Sequence, residues 1–166
     1  MCYTANVSFT CFFFIADLNN PNGGQVISTD LQHMMPIKGA IILPECDITK
    51  QETQQQILNI LNGQKVDVML SDMAPSATGV KTLDHQQIVQ LAMAVLRFSL
   101  GCLAEGGSFL VKLLQGGECK SFEKTVGKCF TDVRFVKPHA SRMDSAEVFL
   151  LARNFTLRST KNRTAQ

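Results

Sequence analysis

Four side chains that could do chemistry lie at or just past the carboxyl ends of predicted strands. Asp30, Asp47 and Asp72 follow short apolar runs, and Lys112 ends another one. In an open α/β sheet the carboxyl ends of parallel strands meet along one rim, where ligands bind. Carboxylates on that rim can accept hydrogen bonds from a ligand, and a deprotonated lysine can act as a base. The spacing therefore predicts a ligand site there.

Each of these side chains also has a purely structural interpretation. Asp30 could cap the turn that follows it, and Asp47 could cap the next helix. Asp72 could form an Asx turn before the proline that follows, and Lys112 could simply reach out to water. Glu147, at the start of the last predicted strand, could be a solvated surface charge. One acid at a strand end means little, so the prediction depends on all of them converging.

The elements that must position these residues follow from the hydrophobic pattern. Strands are predicted at residues 25–29, 40–43, 66–70, 108–112, 133–137 and 147–152. Helices are predicted at residues 50–61, from 84 to about 103, and at 121–130. Asn62-Gly63 should close the first helix, Asp84 should cap the second, and residues 104–107 should form a turn.

Strands alternate with helices through most of this pattern. That alternation predicts an α/β domain with a mainly parallel sheet. The last two strands have no helix between them, which predicts an antiparallel pair at one side.

Length and composition describe one ordinary globular domain. The chain has 166 residues, of which 45% are hydrophobic and 18% charged, and these fractions argue against disorder. A net charge of +2 does not by itself indicate a nucleic-acid binder. The six cysteines contain no CxxC pair and have no histidine nearby in sequence, so no zinc site is predicted and a reducing compartment is expected.

The apolar run at residues 9–16 needs separate treatment. It is too short to span a bilayer. No lysine or arginine precedes it, so it lacks the basic start of a secretory signal and the arginines of a mitochondrial transit peptide. We interpret it as part of a core strand or helix.

Three separate motifs, in order, resemble one enzyme family. Residues 66–79 (VDVMLSDMAPSATG) resemble the SDMAPN-x-(S/T)-G signature of the FtsJ/RrmJ-type ribosomal RNA ribose 2′-O-methyltransferases. Residues 103–116 are similar to the strand that carries that family's catalytic lysine, and residues 137–150 to the segment that carries its glutamate. Residues 29–39 resemble its second strand and the loop after it, and their sequence is most similar to that of the mitochondrial branch.

The resemblance implies a Rossmann-like, S-adenosylmethionine-dependent methyltransferase fold. It implies methylation of a ribose 2′-hydroxyl, that of a uridine, in large-subunit ribosomal RNA, and the mitochondrion as the compartment. The large ribosomal subunit would be the partner, and we expect a monomer with no metal and no membrane contact. The alternative is a catalytically impaired member that acts as an RNA-binding or ribosome-assembly factor. A small-molecule methyltransferase on the same fold is a weaker possibility, since fold alone does not fix the substrate.

The resemblance also assigns roles to individual residues. Asp30 matches the acid near the adenosine part of the cofactor, and Asp47 the acid that accepts from the adenine amine. Asp72 matches the acid beside the methionine end of the cofactor and the reacting centre. Lys112 matches the proposed general base, and Glu147 the residue that helps to position it. An isolated lysine keeps its proton at neutral pH, so such a base needs burial or a nearby positive charge.

The resemblance fails at the amino-terminal side. The family's glycine-rich loop (D-x-G-x-x-P-G-x-W) and its first catalytic lysine have no counterpart here. By alignment, residues 10–18 match the family's first helix, so the central first strand is expected to be missing. Either the second strand then closes directly on the fourth, or residues 9–15 insert as a substitute strand. Our preferred hypothesis is a truncated chain with an incomplete cofactor site.

These comparisons give the expected domain limits. Residues 1–19 would be an atypical amino-terminal segment, residues 20–155 the methyltransferase domain, and residues 156–166 a flexible basic tail. RNA contacts would come from basic residues around the rim. The candidates are Lys81, Lys120, Lys137, Arg142 and Arg153.

Overall fold

A computed structural model describes the backbone of residues 11–15 and the whole of residues 24–76, 78–116, 118–138 and 145–156. Its strands are β1 (Cys11–Ile15), β2 (Gln25–Thr29), β3 (Ala40–Leu43), β4 (Val66–Ser71), β5 (Leu103–Leu114), β6 (Phe130–Val136) and β7 (Glu147–Phe155). The helices in these residues are α1 (Gln51–Leu61), α2 (Lys81–Cys102) and α3 (Glu118–Val126).

All seven strands form one sheet in the order β3-β2-β1-β4-β5-β7-β6. Strands β2 and β3 pair in parallel, as do β4 and β5, and β6 points the same way as these four. Strands β1 and β7 run in the opposite direction. The predicted mainly parallel sheet with an antiparallel pair at its carboxyl-terminal side is therefore confirmed.

The centre of the sheet differs from our preferred expectation of a missing first strand. Cys11–Ile15 forms β1 between β2 and β4, antiparallel to both, so that Phe13 pairs with Ile27 on one side and Met69 on the other. Of the two arrangements considered, the structure adopts the inserted substitute strand, and the predicted match of this segment to a helix is wrong. An unfilled gap here would leave two unpaired edges in the middle of the sheet, which is a severe cost.

Strand β5 shows how the sequence places one face of the sheet on the core. Phe109, Val111 and Leu113 are buried, whereas Leu110, Lys112 and Leu114 between them are only partly covered. The buried set joins residues of α2 and α3 in one hydrophobic cluster. Because successive side chains on a strand point to opposite faces, this alternation fixes the face on which Lys112 lies.

Helix boundaries agree with the sequence in one place and differ in two others. Asn62 takes the left-handed conformation (φ 46°) and donates its N–H to Leu58 and Asn59, which confirms the predicted end of α1. Helix α2 begins at Lys81, three residues before the predicted cap, and Asp84 lies in its first turn. Helix α3 spans Glu118–Val126, so it begins and ends earlier than predicted.

The predicted turn at residues 104–107 is wrong. These residues belong to β5, which starts directly after α2 at Leu103. The pairing with β4 is irregular there, with a register shift between Val66 and Val68. Gly106 and Gly107, which suggested a turn, instead lie at an irregularity of the strand. Gly106 has a φ of 79° there.

Candidate functional site

Asp72 and Lys112 meet because their strands are neighbours in register. Ser71, the last residue of β4, pairs with Val111 on β5, so the residues that follow each of them lie side by side. The Lys112 ammonium nitrogen (Nζ) lies 2.8 Å from Oδ1 of Asp72. The Lys112 side chain is 11% exposed and that of Asp72 is 57% exposed, so a mostly buried ammonium group meets a carboxylate at the protein surface.

Glu147 approaches the same ammonium group from the other side of β5. It pairs with Leu114 at the start of β7, two residues beyond Lys112 on the same face. Its Oε1 lies 3.9 Å from Lys112 Nζ, which is an ion pair but longer than a hydrogen bond. The backbone N–H of Glu147 donates to the Ser145 hydroxyl at 3.1 Å, which helps to hold the strand start in place.

Two carboxylates around one ammonium group give this cluster a net charge of about −1. The carboxylates hold the lysine Nζ at a defined point on the rim. Of the four residues predicted to converge, Asp72 and Lys112 are in contact, and Glu147, which the resemblance assigned as the positioning residue, lies at the same ammonium group. Asp72 is the closer partner and Glu147 the more distant one.

Asp30 follows β2 and is almost fully buried, with 4% exposure. Its Oδ1 accepts a hydrogen bond from the backbone N–H of Gln32 at 2.8 Å, which is the geometry of a turn stabilised by an aspartate side chain. The backbone carbonyl of Asp30 accepts from the N–H of Cys46, in the loop after the neighbouring strand β3. The two loops at the ends of β2 and β3 are thereby joined.

Asp47 lies in that second loop. Its Oδ1 accepts from both the backbone N–H and the hydroxyl of Thr49, at 2.8 and 2.7 Å. The helix cap is Lys50, and no side chain caps α1 there, so Asp47 shapes the turn before the helix instead of capping it. The interpretation of Asp47 as a helix cap is therefore wrong in detail.

The reversed strand β1 separates these two halves of the rim. Cys11, its first residue, pairs with both Thr29 and Ser71, so its amino end lies between the loops that carry Asp30 and Asp72. Two strand spacings place those loops roughly 10 Å apart.

The donor set on the rim fits one part of S-adenosylmethionine better than the other. Carboxylates at the ends of β2 and β3 are suited to the amine and hydroxyl donors of an adenosine group. At the centre, the family's glycine-rich loop would leave the carboxyl end of a parallel strand. Here an antiparallel strand presents its amino end, preceded by ten residues without a glycine. The residues therefore fit the adenosine part and do not reproduce that loop.

Asp84 has a different role from the predicted cap. Its Oδ1 accepts from the backbone N–H and the hydroxyl of Thr78, each at 2.7 Å. These hydrogen bonds lower the pKa of the Asp84 carboxyl below its ordinary value. Asp84 therefore ties the loop after Asp72 to the first turn of α2. The sequence held the signal for this contact, since Thr78 and Asp84 flank the Gly79 turn.

Two further features were not found from the sequence. Ser71 has a buried hydroxyl with no hydrogen-bond partner among the described residues, directly before Asp72. The Nδ1–Cε1 edge of the His85 imidazole lies against Gly116, because a methyl group added to that glycine would collide with both atoms. His85 and Gly116 are far apart in sequence, so no local sequence pattern reveals their contact.

The basic residues expected to meet RNA are only partly available. Lys137 Nζ donates to the Ser145 carbonyl at 3.0 Å, and Arg153 Nε donates to Asp132 at 2.8 Å. Lys81 and Lys120 are exposed. Arg142 lies outside the described residues.

Other classes of site can be considered for the described part of the chain. In that part, no group of three or more His, Cys, Asp or Glu side chains could hold a metal ion. No described helix combines the length and apolar character needed to cross a membrane. A cavity of about 470 Å³ lies between α1 and α2, lined by residues such as Gln54 and Arg97, and contains none of the predicted site residues.

Comparison with known proteins decides the family. The sequence model of the FtsJ-like methyltransferases matches residues 12–155. The chain belongs to this family. The match includes β1, both joined loops on the rim and the whole Lys112 cluster. The resemblance and the fold class inferred from the motifs are therefore confirmed.

Individual relatives of this FtsJ-like chain are ribosomal RNA methyltransferases. A mitochondrial rRNA methyltransferase 2 from Drosophila melanogaster is 42% identical over 132 residues, which is 80% of this chain and 53% of the relative. A ribosomal RNA large subunit methyltransferase E from Methanothrix thermoacetophila is 39% identical, over 80% of this chain and 51% of the relative. The chain thus spans about half the length of these curated relatives.

A solved structure agrees with the family assignment. The crystal structure of a ribosomal RNA methyltransferase from Plasmodium falciparum superposes with a TM-score of 0.69 at 25% sequence identity. The superposition covers 78% of this chain and 71% of the other.

Proposed function

We propose that this chain transfers a methyl group from S-adenosylmethionine to a ribose 2′-hydroxyl of large-subunit ribosomal RNA. The observation that carries the proposal is the Lys112 ammonium group held 2.8 Å from Asp72 and 3.9 Å from Glu147, at the rim where the sheet binds ligands. Relatives named as ribosomal RNA methyltransferases support the substrate class and do not favour the alternative of a non-catalytic RNA-binding factor.

The chemical task explains the residue types. A ribose hydroxyl is a poor nucleophile, so a base must take its proton as the new bond forms. Lys112 is suited to receive that proton at Nζ, once it has lost its own. Asp72 and Glu147 hold Nζ in place. When bound, S-adenosylmethionine supplies the methyl group on a positively charged sulfur.

Holding the reactants in line is the second contribution. Lys112 is only 11% exposed, so its direction is set by the strand and not by free rotation in water. Orientation of this kind can supply much of the acceleration of a displacement reaction. In this proposal Asp30 and Asp47 hold the adenosine part, and Asp72 faces both the cofactor and the lysine.

Methyl transfer to unmodified large-subunit ribosomal RNA tests the proposal. The chain, supplied with labelled S-adenosylmethionine, should label the RNA, and Lys112→Ala should give only background. Lys128→Ala removes an exposed lysine after α3 and should behave as the wild type. Equal, background labelling by the wild type and Lys112→Ala would instead support the non-catalytic alternative.

Cofactor binding needs its own measurement, because the glycine-rich loop is absent from the sequence. Isothermal titration of the chain with S-adenosylmethionine should show binding, and Asp47→Ala should weaken it by removing the predicted acceptor for the adenine amine. Micromolar binding by the wild type would contradict the hypothesis of an incomplete cofactor site. No detectable binding would contradict the proposed activity of this chain.

The compartment and the assembly are also proposals. We infer the mitochondrion as the site of action, supported by the name of the Drosophila relative. The large ribosomal subunit as partner is supported by the name of the Methanothrix relative. That the protein is a monomer remains a prediction that light scattering can check. The domain limits at residues 19 and 155 also remain predictions.

A further inference from the structure

A second cavity lies next to the Lys112 cluster and has no role in the chemistry described above. Its volume is about 310 Å³, at the lower end of the usual range for small-ligand pockets. Lys81, Thr82 and His85 of α2 form one wall. Leu114, Gln115 and Ala146 form the other.

The cavity lies beside the candidate active site, since residues next to Lys112 and Glu147 along β5 and β7 line it. Leu114 pairs with Glu147, and the next residue, Gln115, donates its N–H to the Ala146 carbonyl at 2.8 Å. Leu114 also lies two residues beyond Lys112 on the same strand face, which is about 7 Å along the strand. That separation is close to the distance between successive nucleotides of an extended single strand.

One wall of the cavity is a flat aromatic ring in a fixed position. A methyl group on Gly116 would collide with Nδ1 and Cε1 of His85, so the backbone of Gly116 lies against that edge of the imidazole and holds the ring in position. The ring also lines the cavity. An aromatic ring that is held at its edge and lines a cavity is a platform on which another flat ring can stack.

The charges of the cavity favour a neutral ring over a phosphate group. Lys81 is balanced by Asp84, whose carboxylate also lines the cavity and is held by Thr78. A phosphate would meet that carboxylate, whereas a nucleobase offers amine donors to it. The carboxamide of Gln115 and the hydroxyl of Thr82 can each donate to or accept from a base edge.

We propose that this cavity binds the nucleobase of the nucleotide next to the acceptor ribose, stacked on His85. The inference rests on the proposed function, because it takes the chain held at Lys112 to be RNA. Lys112 then handles the reacting ribose while His85 fixes the neighbouring base, which sets the position of the strand. Single-stranded RNA is commonly held in this way, by stacking of splayed bases on aromatic side chains.

Binding of a short single-stranded RNA, measured by fluorescence anisotropy without cofactor, tests the inference. His85→Ala should weaken binding by about tenfold, the typical effect of losing one stacked base. His85→Phe should retain most of the affinity, since a phenyl ring offers the same flat face. Gly101→Ala, at an exposed glycine with open space around it, is the matched control and should bind as the wild type.

The variant Gly116→Ala tests the position of the His85 ring while leaving the ring itself in the protein. The added methyl group must push the imidazole away, and the ring, at the end of a flexible side chain, can move without unfolding the strand. This variant should also bind RNA about tenfold more weakly. Because it acts through the ring, the double variant with His85→Ala should bind no worse than His85→Ala alone.

Abasic nucleotides, scanned one position at a time through the RNA, give the readout that a merely structural role would not change. At one position the loss of the base should make wild type and His85→Ala bind equally. Wild-type affinity in His85→Ala, additive effects in the double variant, or His85 dependence at every abasic position would each overturn the inference. These results leave the proposed methyl transfer intact, whereas no RNA binding by the wild type would overturn both.

Discussion

At the scale of single residues, the central fact is the unequal pairing of Lys112. Asp72 lies within hydrogen-bond distance of Nζ, whereas Glu147 does not. Both carboxylates are about half exposed, so solvent weakens their attraction for the ammonium group. The two acids should therefore contribute unequally to positioning the lysine.

We expect Asp72→Asn to reduce methyl transfer by about 100-fold or more, the range for loss of a group that orients acid–base chemistry. Glu147→Gln, which removes the more distant charge, should cost about tenfold or less on the same physical basis. Initial rates on ribosomal RNA at saturating cofactor provide the measurement. Equal losses in the two variants would show that distance to Nζ is not what ranks them.

Cys102, at the end of α2, gives a pH prediction. Burial raises the pKa of its thiol from 9.0 to about 11, against a smaller opposing effect of Lys65. The folded protein thus holds this proton more tightly than the unfolded chain. The resulting stability is fully present below pH 9.0 and is lost as the pH rises to about 11, by roughly 2–3 kcal/mol.

Denaturant unfolding at several pH values between these limits should show that loss. Cys102→Ala should flatten the dependence in this window. An identical pH slope in the wild type and Cys102→Ala would contradict the burial explanation.

At the scale of elements, β5 carries most of the site. It places Lys112 on the partly covered face, brings Val111 into register with β4 and Leu114 into register with Glu147. Its irregular start depends on Gly107, where an added methyl group would lie 2.5 Å from a Leu103 methyl and 2.8 Å from the Ala104 carbonyl. The backbone carbonyl cannot move aside cheaply.

We expect Gly107→Ala to destabilise the fold by about 1–3 kcal/mol through this overpacking. Gly101→Ala, in the last turn of α2 with nothing near the new methyl group, should instead stabilise it by up to about 1 kcal/mol because alanine favours helix. Thermal or denaturant unfolding of both variants gives the comparison. The two variants should change the free energy of unfolding in opposite directions. A loss of stability in both would contradict the steric explanation.

At the scale of the whole molecule, the reversed strand β1 decides how the rim is built. It fills the centre of the sheet and pairs with a strand on each side, so its backbone groups have partners in both directions. The same reversal presents an amino end between Asp30 and Asp72, where the family's parallel strand would present its glycine-rich loop. Stability of the sheet and completeness of the cofactor site are thus separate questions.

Amide hydrogen exchange tests the position of β1. The amides of Phe12, Phe13 and Phe14 should exchange more slowly than those of Ile41 and Ile42 on the edge strand β3, because a central strand opens only when its neighbours separate. Exchange of β1 as fast as the edge would show that β2 and β4 are held together in some other way.

Much of the fold and site could be predicted from local patterns. The alternation in β5 and the left-handed end of α1 at Asn62 depend only on nearby residues. The convergence of Asp72 and Lys112 followed because both lie near the carboxyl ends of neighbouring strands of one sheet. By contrast, the Gly106-Gly107 pair suggested a turn, and only the pairing with β4 shows it to be part of a strand.

What the sequence by itself determined is the opening set of residues: which acids and which lysine lie near the carboxyl ends of strands, and which family their motifs belong to. Only the tertiary structure decided the direction of β1, the distances that rank Asp72 above Glu147, and the contact of His85 with Gly116. The physical reason is the separation along the chain of the residues that interact. An apolar run has the same pattern in a parallel or an antiparallel strand, and its direction is fixed only by the hydrogen bonds it makes with distant neighbours.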